Sequence, residues 1–97
     1  MTLPLWYRFM ISVRRLVESH ADGGLGVKAR LEMQEALVMV GDLDAAQTPD
    51  PFLFKMMCRF CGAWATRTSD SDREILSPII FEMCEGLRRA RQRKEDV

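Results

Sequence analysis

Residues 48–65, TPDPFLFKMMCRFCGAWA, decide how the chain reads. Thr48-Pro49-Asp50-Pro51 is a turn that runs straight into a helix start: Asp50 suits the N-cap, and Pro51 suits the first helical position, where its missing N–H costs nothing. Beyond Pro51 the segment is apolar on most sides of a helix, with Phe52, Leu53, Phe54, Met56, Met57, Cys58, Phe60, Cys61, Ala63, Trp64 and Ala65 broken chiefly by Lys55 and Arg59. A helix of that kind is buried on more than one face, so it needs helical neighbours on several sides. The spacing predicts it over 51–67.

Working outward, the neighbours are present. Leu5, Trp6, Phe9, Met10, Val13, Leu16 and Val17 recur at steps of three and four, predicting a helix over 4–20 with Pro4 at its start. Three glycines within 23–26 end it. Leu31, Met33, Leu37, Val40 and Leu43 predict a second helix, over 27–46, weakened at Gly41, where it is expected to bend or stop. Ala36–Val40 is an uninterrupted apolar run that a strand could also use, but the flanking Glu, Gln, Lys and Ala favour helix. After residue 67, Ser71 with Glu74 makes a capping box, and Ser69 with Asp72 a near-equivalent. Leu76, Ile80, Met83, Leu87 and Ala90 carry the fourth helix over 71–93, with a kink expected near Pro78 or a restart capped by Ser77. The expected fold is all-α: a small four-helix bundle or orthogonal array over 1–93, with 94–97 as a short charged tail.

Composition narrows the class. The chain has 97 residues, 47% hydrophobic and 29% charged, with 14 Lys plus Arg against 14 Asp plus Glu. That balance removes any global electrostatic claim on nucleic acid or lipid, and no apolar run is long enough for a membrane span. Arg8, Arg14 and Arg15 interrupt the N-terminal apolar stretch, so a signal peptide is not expected. A cytoplasmic protein is, with its three cysteines reduced and no self-contained disulfide framework. At this size apolar burial and conformational entropy nearly cancel, so a partner or a second copy adds needed stability. The charges alternate in blocks along the chain, as when neighbouring helices attract one another.

Motifs that carry chemistry are few. Cys58 and Cys61 form a C-x-x-C, and a hairpin turning near 68–71 sets Cys58 roughly opposite residues 81–84, within reach of Cys84. With His20 these make a three-Cys, one-His set for zinc, or a redox-sensing pair. The alternative is core: the C-x-x-C lies inside an apolar helix rather than a turn, and buried cysteine behaves as a small hydrophobe. Core is the favoured reading, so no metal and no cofactor is expected. A thioredoxin-like motif would need a preceding strand and a helix N-terminus. His20 with Ser19 and Asp22 looks like an ordinary polar loop rather than a catalytic triad. Gly23-Gly24-Leu25-Gly26 lacks the Lys-Ser/Thr of a phosphate loop. No enzyme is expected.

Two surfaces remain for function. The basic segment Arg88, Arg89, Arg91, Arg93 and Lys94 offers charge to nucleic-acid phosphates or complements the helix C-terminus. The apolar surplus, including seven methionines and five phenylalanines, suits adaptable protein interfaces. Its expected partner-binding residues are Leu5, Trp6, Phe9 and Met10 on the first helix, with Phe52, Leu53, Met56 and Met57 on the third. The expectation is a non-enzymatic regulator, homodimeric, that binds and occludes another protein such as a transcription regulator. Antiactivators and phage-encoded inhibitors share that size and profile, although no motif here identifies a family. A nucleic-acid-associated regulator using the basic segment, and a zinc-stabilised or redox-sensing domain, are the alternatives.

Overall fold

The computed structural model describes residues 2–21, 26–67 and 69–95, apart from the side chains of residues 20, 21 and 95. Four helices make the fold: α1 (Leu5–Ala21), α2 (Val27–Met39), α3 (Pro51–Thr66) and α4 (Asp70–Glu95), with a short 3-10 turn at Ala45–Gln47 between α2 and α3. Each starts for a local reason. The Pro4 carbonyl accepts from the Tyr7 and Arg8 amides, both at 3.1 Å, so Pro4 stands one residue ahead of α1. Gly26, at φ 58, takes the left-handed conformation that glycine tolerates and leads into α2. Asp50 Oδ1 accepts from the Leu53 amide at 3.0 Å, capping α3 as its sequence predicts. α4 begins at Asp70, so Ser69 rather than Ser71 occupies the N-cap position.

The helices run up-down-up-down around one core. α1 packs on α2 and α4, and α3 packs on the same two. Along the α3–α4 hairpin, Met57 Sδ lies 3.6 Å from Cys84 Sγ, Trp64 Nε1 donates to Ser77 Oγ at 2.9 Å, and Arg73 Nη1 donates to the Arg67 carbonyl at 2.6 Å. That is the antiparallel register expected of a turn near 68–71. α1 against α4 is antiparallel too, with Arg91 over the Tyr7 ring, Cys84 Sγ 3.8 Å from the Met10 carbonyl, and Arg14 Nη1 3.1 Å from Glu85 Oε1. Between α2 and α3, Arg30 and Gln34 donate to the carbonyls of Arg67 and Ala65. Diagonally, the Phe9 and Phe54 rings meet edge to face, with centroids 5.9 Å apart.

Three expectations need correction. The second helix does not continue to residue 46. It stops at Met39, and two tight turns, Val40 N–H to the Leu37 carbonyl and Gly41 N–H to that of Val38, replace the ladder beside Gly41. Its buried face is Ala29, Met33 and Ala36, with Val40 just beyond, whereas Leu31 is 53% exposed. Small residues at 29 and 36 let α2 approach its neighbours closely, and Leu31, two positions from Ala29, falls on the far side of the helix. The restart expected at Ser77 is also absent, because α4 continues through Pro78. Pro78 and Glu74 both face solvent, so the bond that proline removes is lost where water replaces it. Finally, α4 extends to Glu95, which makes Lys94 part of the helix rather than of a tail.

No helix among the described residues is long and apolar enough to cross a membrane.

Candidate interaction surface

The residues expected to meet a partner separate sharply. Trp6, Phe9, Met10 and Met57 are buried in the chain's own core, which corrects their assignment to a free surface. Each lies on the inner stripe of its helix, and α4 covers that stripe, as the Met10–Cys84 and Met57–Cys84 contacts show for two of them. Leu5, Leu53 and Met56 are not free either: Leu5 and Leu53 pack partly buried against the core, and Met56 is half-buried. Phe52 is 74% exposed.

Two apolar openings flank that start of α3. On the α2 side, a groove of about 770 Å³ has Leu37, Val40, Leu43, Met56 and Cys58 in its lining, with Phe52, Asp44, Lys55 and Arg59 also bordering it. It exists because α2 ends early. Arg30 meets Arg67 and Gln34 meets Ala65, so in this antiparallel register Met39 lies near Cys58–Phe60. The first turns of α3 therefore face only the irregular segment after α2. On the α4 side, a shallower opening of about 690 Å³ is lined by Leu53, Ile79, Met83, Gly86 and Arg89, among others. Gly86 brings the helices together here: a Cβ at this position would lie 2.9 Å from Leu53 Cδ2. Ile75 and Ile79, one turn apart on α4, are exposed and extend this opening into a strip. The exposure of Ile75 and Ile79 has a sequence signal, since they fall outside the Leu76–Ile80–Met83–Leu87 stripe, but they are absent from the expected partner residues.

The cysteines lie in the core. Cys61 and Cys84 are buried and Cys58 is half-buried beside the α2-side groove. Burial pushes the Cys58 thiol up to about 11 and the Cys84 thiol up to about 12, the latter despite a lowering by Arg14. Burial, followed by the proximity of Cys84 and Cys58, holds Cys61 well above its ordinary value. Metal binding or disulfide chemistry needs the thiolate, so burial disfavours both at all three thiols. Among the described residues no group of three or more His, Cys, Asp or Glu is placed to hold a metal ion. The His20 side chain and residues 22–25, which include Asp22 and most of the glycine run, lie outside the described residues.

The basic segment is partly engaged internally. Arg88 forms a bridge to Glu85 at 2.9 Å, and Arg91 stacks over Tyr7 at 4.3 Å. Arg89, Arg93 and Lys94 are exposed. Glu85 accepts from Arg88, which chiefly holds its carboxyl below the ordinary value of 4.5, with a further lowering from Arg14. Its Oε1 is within ion-pair distance of Arg14 but without hydrogen-bonding geometry.

Sequence reasoning missed the cation beneath the bundle. Arg73 is 3% exposed, bridges to Asp70, donates to the Arg67 carbonyl, and lies over the Trp64 ring. It ties the α3–α4 turn to the core. Its isolated position in an acidic block was the available signal. No family model, curated protein or solved structure matches the chain.

Proposed function

We propose that the protein is a non-enzymatic regulator that binds another protein and occludes it, presenting an apolar helix face to a groove on that partner. The observation that carries this reading is the strip on α4, where Ile75 and Ile79 stay in solvent and Ile79 joins the half-buried Leu53 and Met83 in lining the opening. Side chains one and two turns apart on one helix are the anchors of helix-in-groove recognition. Desolvating them supplies affinity that is largely indifferent to salt. A transcription regulator is the class of partner that suits a small occluding protein.

The test is capture of a partner by the tagged full-length chain, with and without nuclease, alongside an Ile75→Asp/Ile79→Asp variant. Both positions are exposed, so the variant keeps its fold. The expected result is one stoichiometric protein, retained after nuclease treatment and at raised salt, and lost with the variant. Capture that nuclease abolishes would sink the reading and transfer function to Arg89, Arg93 and Lys94, whose phosphate contacts weaken steeply with salt. Unfolding by a chelator alone would point instead to a zinc-stabilised domain.

A further inference from the structure

The groove on the α2 side of α3 has a feature that the α4 strip lacks: it carries its own complement. Phe52 stands at its border, 74% exposed, beside a lining that includes Leu37, Leu43 and Met56. A projecting ring and an apolar hollow on one face are what an interface between identical copies requires, because each copy must supply both knob and hole. A partner of unrelated shape would need the hollow alone.

The charges are arranged the same way. Lys55 and Arg59, one turn apart on α3, border the groove from one side, and Asp44 borders it from the segment after α2. Lys55 and Arg59 form no ion pair with another described residue. Asp44 spends one carboxylate oxygen on the Ala46 amide, capping the 3-10 turn, and the other remains available. A two-fold axis lying along the groove turns each wall onto the opposite wall of the other copy. Lys55 and Arg59 then face Asp44 across the interface, and like charges are kept apart.

We propose that two copies of the chain associate face to face through this groove, with Phe52 of each seated in the hollow of the other. The proposal does not rest on the reading of the α4 strip. That strip lies on the other side of α3 and stays open in such a dimer.

The experiment is the mass in solution of the full-length protein, by sedimentation equilibrium over about a hundredfold range of concentration. The expected species is twice the 11.2 kDa chain. Phe52→Glu is expected to give a monomer with an unchanged helical spectrum. Lys55→Glu/Arg59→Glu is expected to weaken association by about tenfold or more through repulsion from Asp44, which gives a second readout should Phe52→Glu fail to fold. Ile75→Asp/Ile79→Asp is expected to remain dimeric. A wild-type chain that is monomeric throughout would overturn the proposal. So would a dimer that survives both groove variants, or one lost only on the α4 side.

Discussion

At the start of α1, Trp6, Phe9 and Met10 are closed off from solvent, while at the start of α3, Phe52 projects and Leu53 and Met56 are only partly covered. The two stretches share a preceding proline and a comparable load of aromatic, Leu and Met side chains. What differs is the length of the helices beside them. α4 has 26 residues, about 39 Å at 1.5 Å per residue, and runs past the whole of α1. α2 has 13 residues, about 20 Å, and stops before α3 begins. The apolar stripe of α1 faces inward, where α4, α2 and the Phe54 ring close it. α3 is apolar nearly all round, so it needs cover on two sides at its start; α4 meets it closely at Gly86 on one side, and α2 ends short of it on the other. An exposed apolar patch here is a consequence of one helix ending early, and it marks where function is to be sought.

The largest test of this contrast is a matched pair of truncations. Phe9→Ala should cost about 3–5 kcal/mol, because a fully buried ring leaves a cavity. Phe52→Ala should change stability by no more than about 0.5 kcal/mol. Denaturant midpoints at low protein concentration measure both, and equal losses would break the comparison.

Next comes the contact by which α4 meets the start of α3. A Cβ at Gly86 meets the Leu53 side chain, so Gly86→Ala should be neutral or destabilising in the wild-type chain. In a Leu53→Ala background the same change should stabilise by up to about 1 kcal/mol, the helix propensity of alanine over glycine. A double-mutant cycle reads the coupling, and strict additivity would show that the two helices are not in close contact there.

The cap that sets where α3 begins ranks third. Asp50→Ala removes the acceptor for the Leu53 amide and should cost about 1 kcal/mol. Hydrogen exchange at Leu53 should accelerate, while the α1 amides stay as protected as before.

The smallest effect concerns the seam that closes α1. Glu85 has its carboxyl lowered in the folded chain, so its contribution is fully present above the unfolded value and disappears as pH falls through the lower folded one. Thermal melts from neutrality to below 4.5 should show wild-type stability falling on acidification. Glu85→Gln should flatten part of that slope, and identical slopes would remove Glu85 from the seam.

Helix number, order and hairpin register are legible from residues alone. The apolar stripes of α1 and α4 and the Asp50–Pro51 start of α3 each reduce to a local rule that the fold obeys. A turn near 68–71 sets Cys58 and its neighbours across from 81–84, and Met57 does meet Cys84 there. The interaction surface is less legible. Of eight residues expected there, Phe52 is freely exposed, and Ile75 and Ile79 are not among the eight, because hydrophobic spacing says which residues share a face but not which face finds a partner. Periodicity points Leu31 inward along with Met33, yet Leu31 is exposed and Ala29 and Ala36 join Met33 on the buried face, because α2 has to lie close to its neighbours.

The chain by itself determined an all-α fold of four helices, through the 3.6-residue period, the prolines at helix starts and the glycines between helices. These act through backbone sterics and hydrogen bonds a few residues apart, and they hold whatever lies alongside. Tertiary structure alone decided which apolar residues are core and which are surface. Burial depends on the relative lengths and register of helices distant in sequence: α4 reaches Tyr7 through Arg91, and α2 ends before it can cover Phe52.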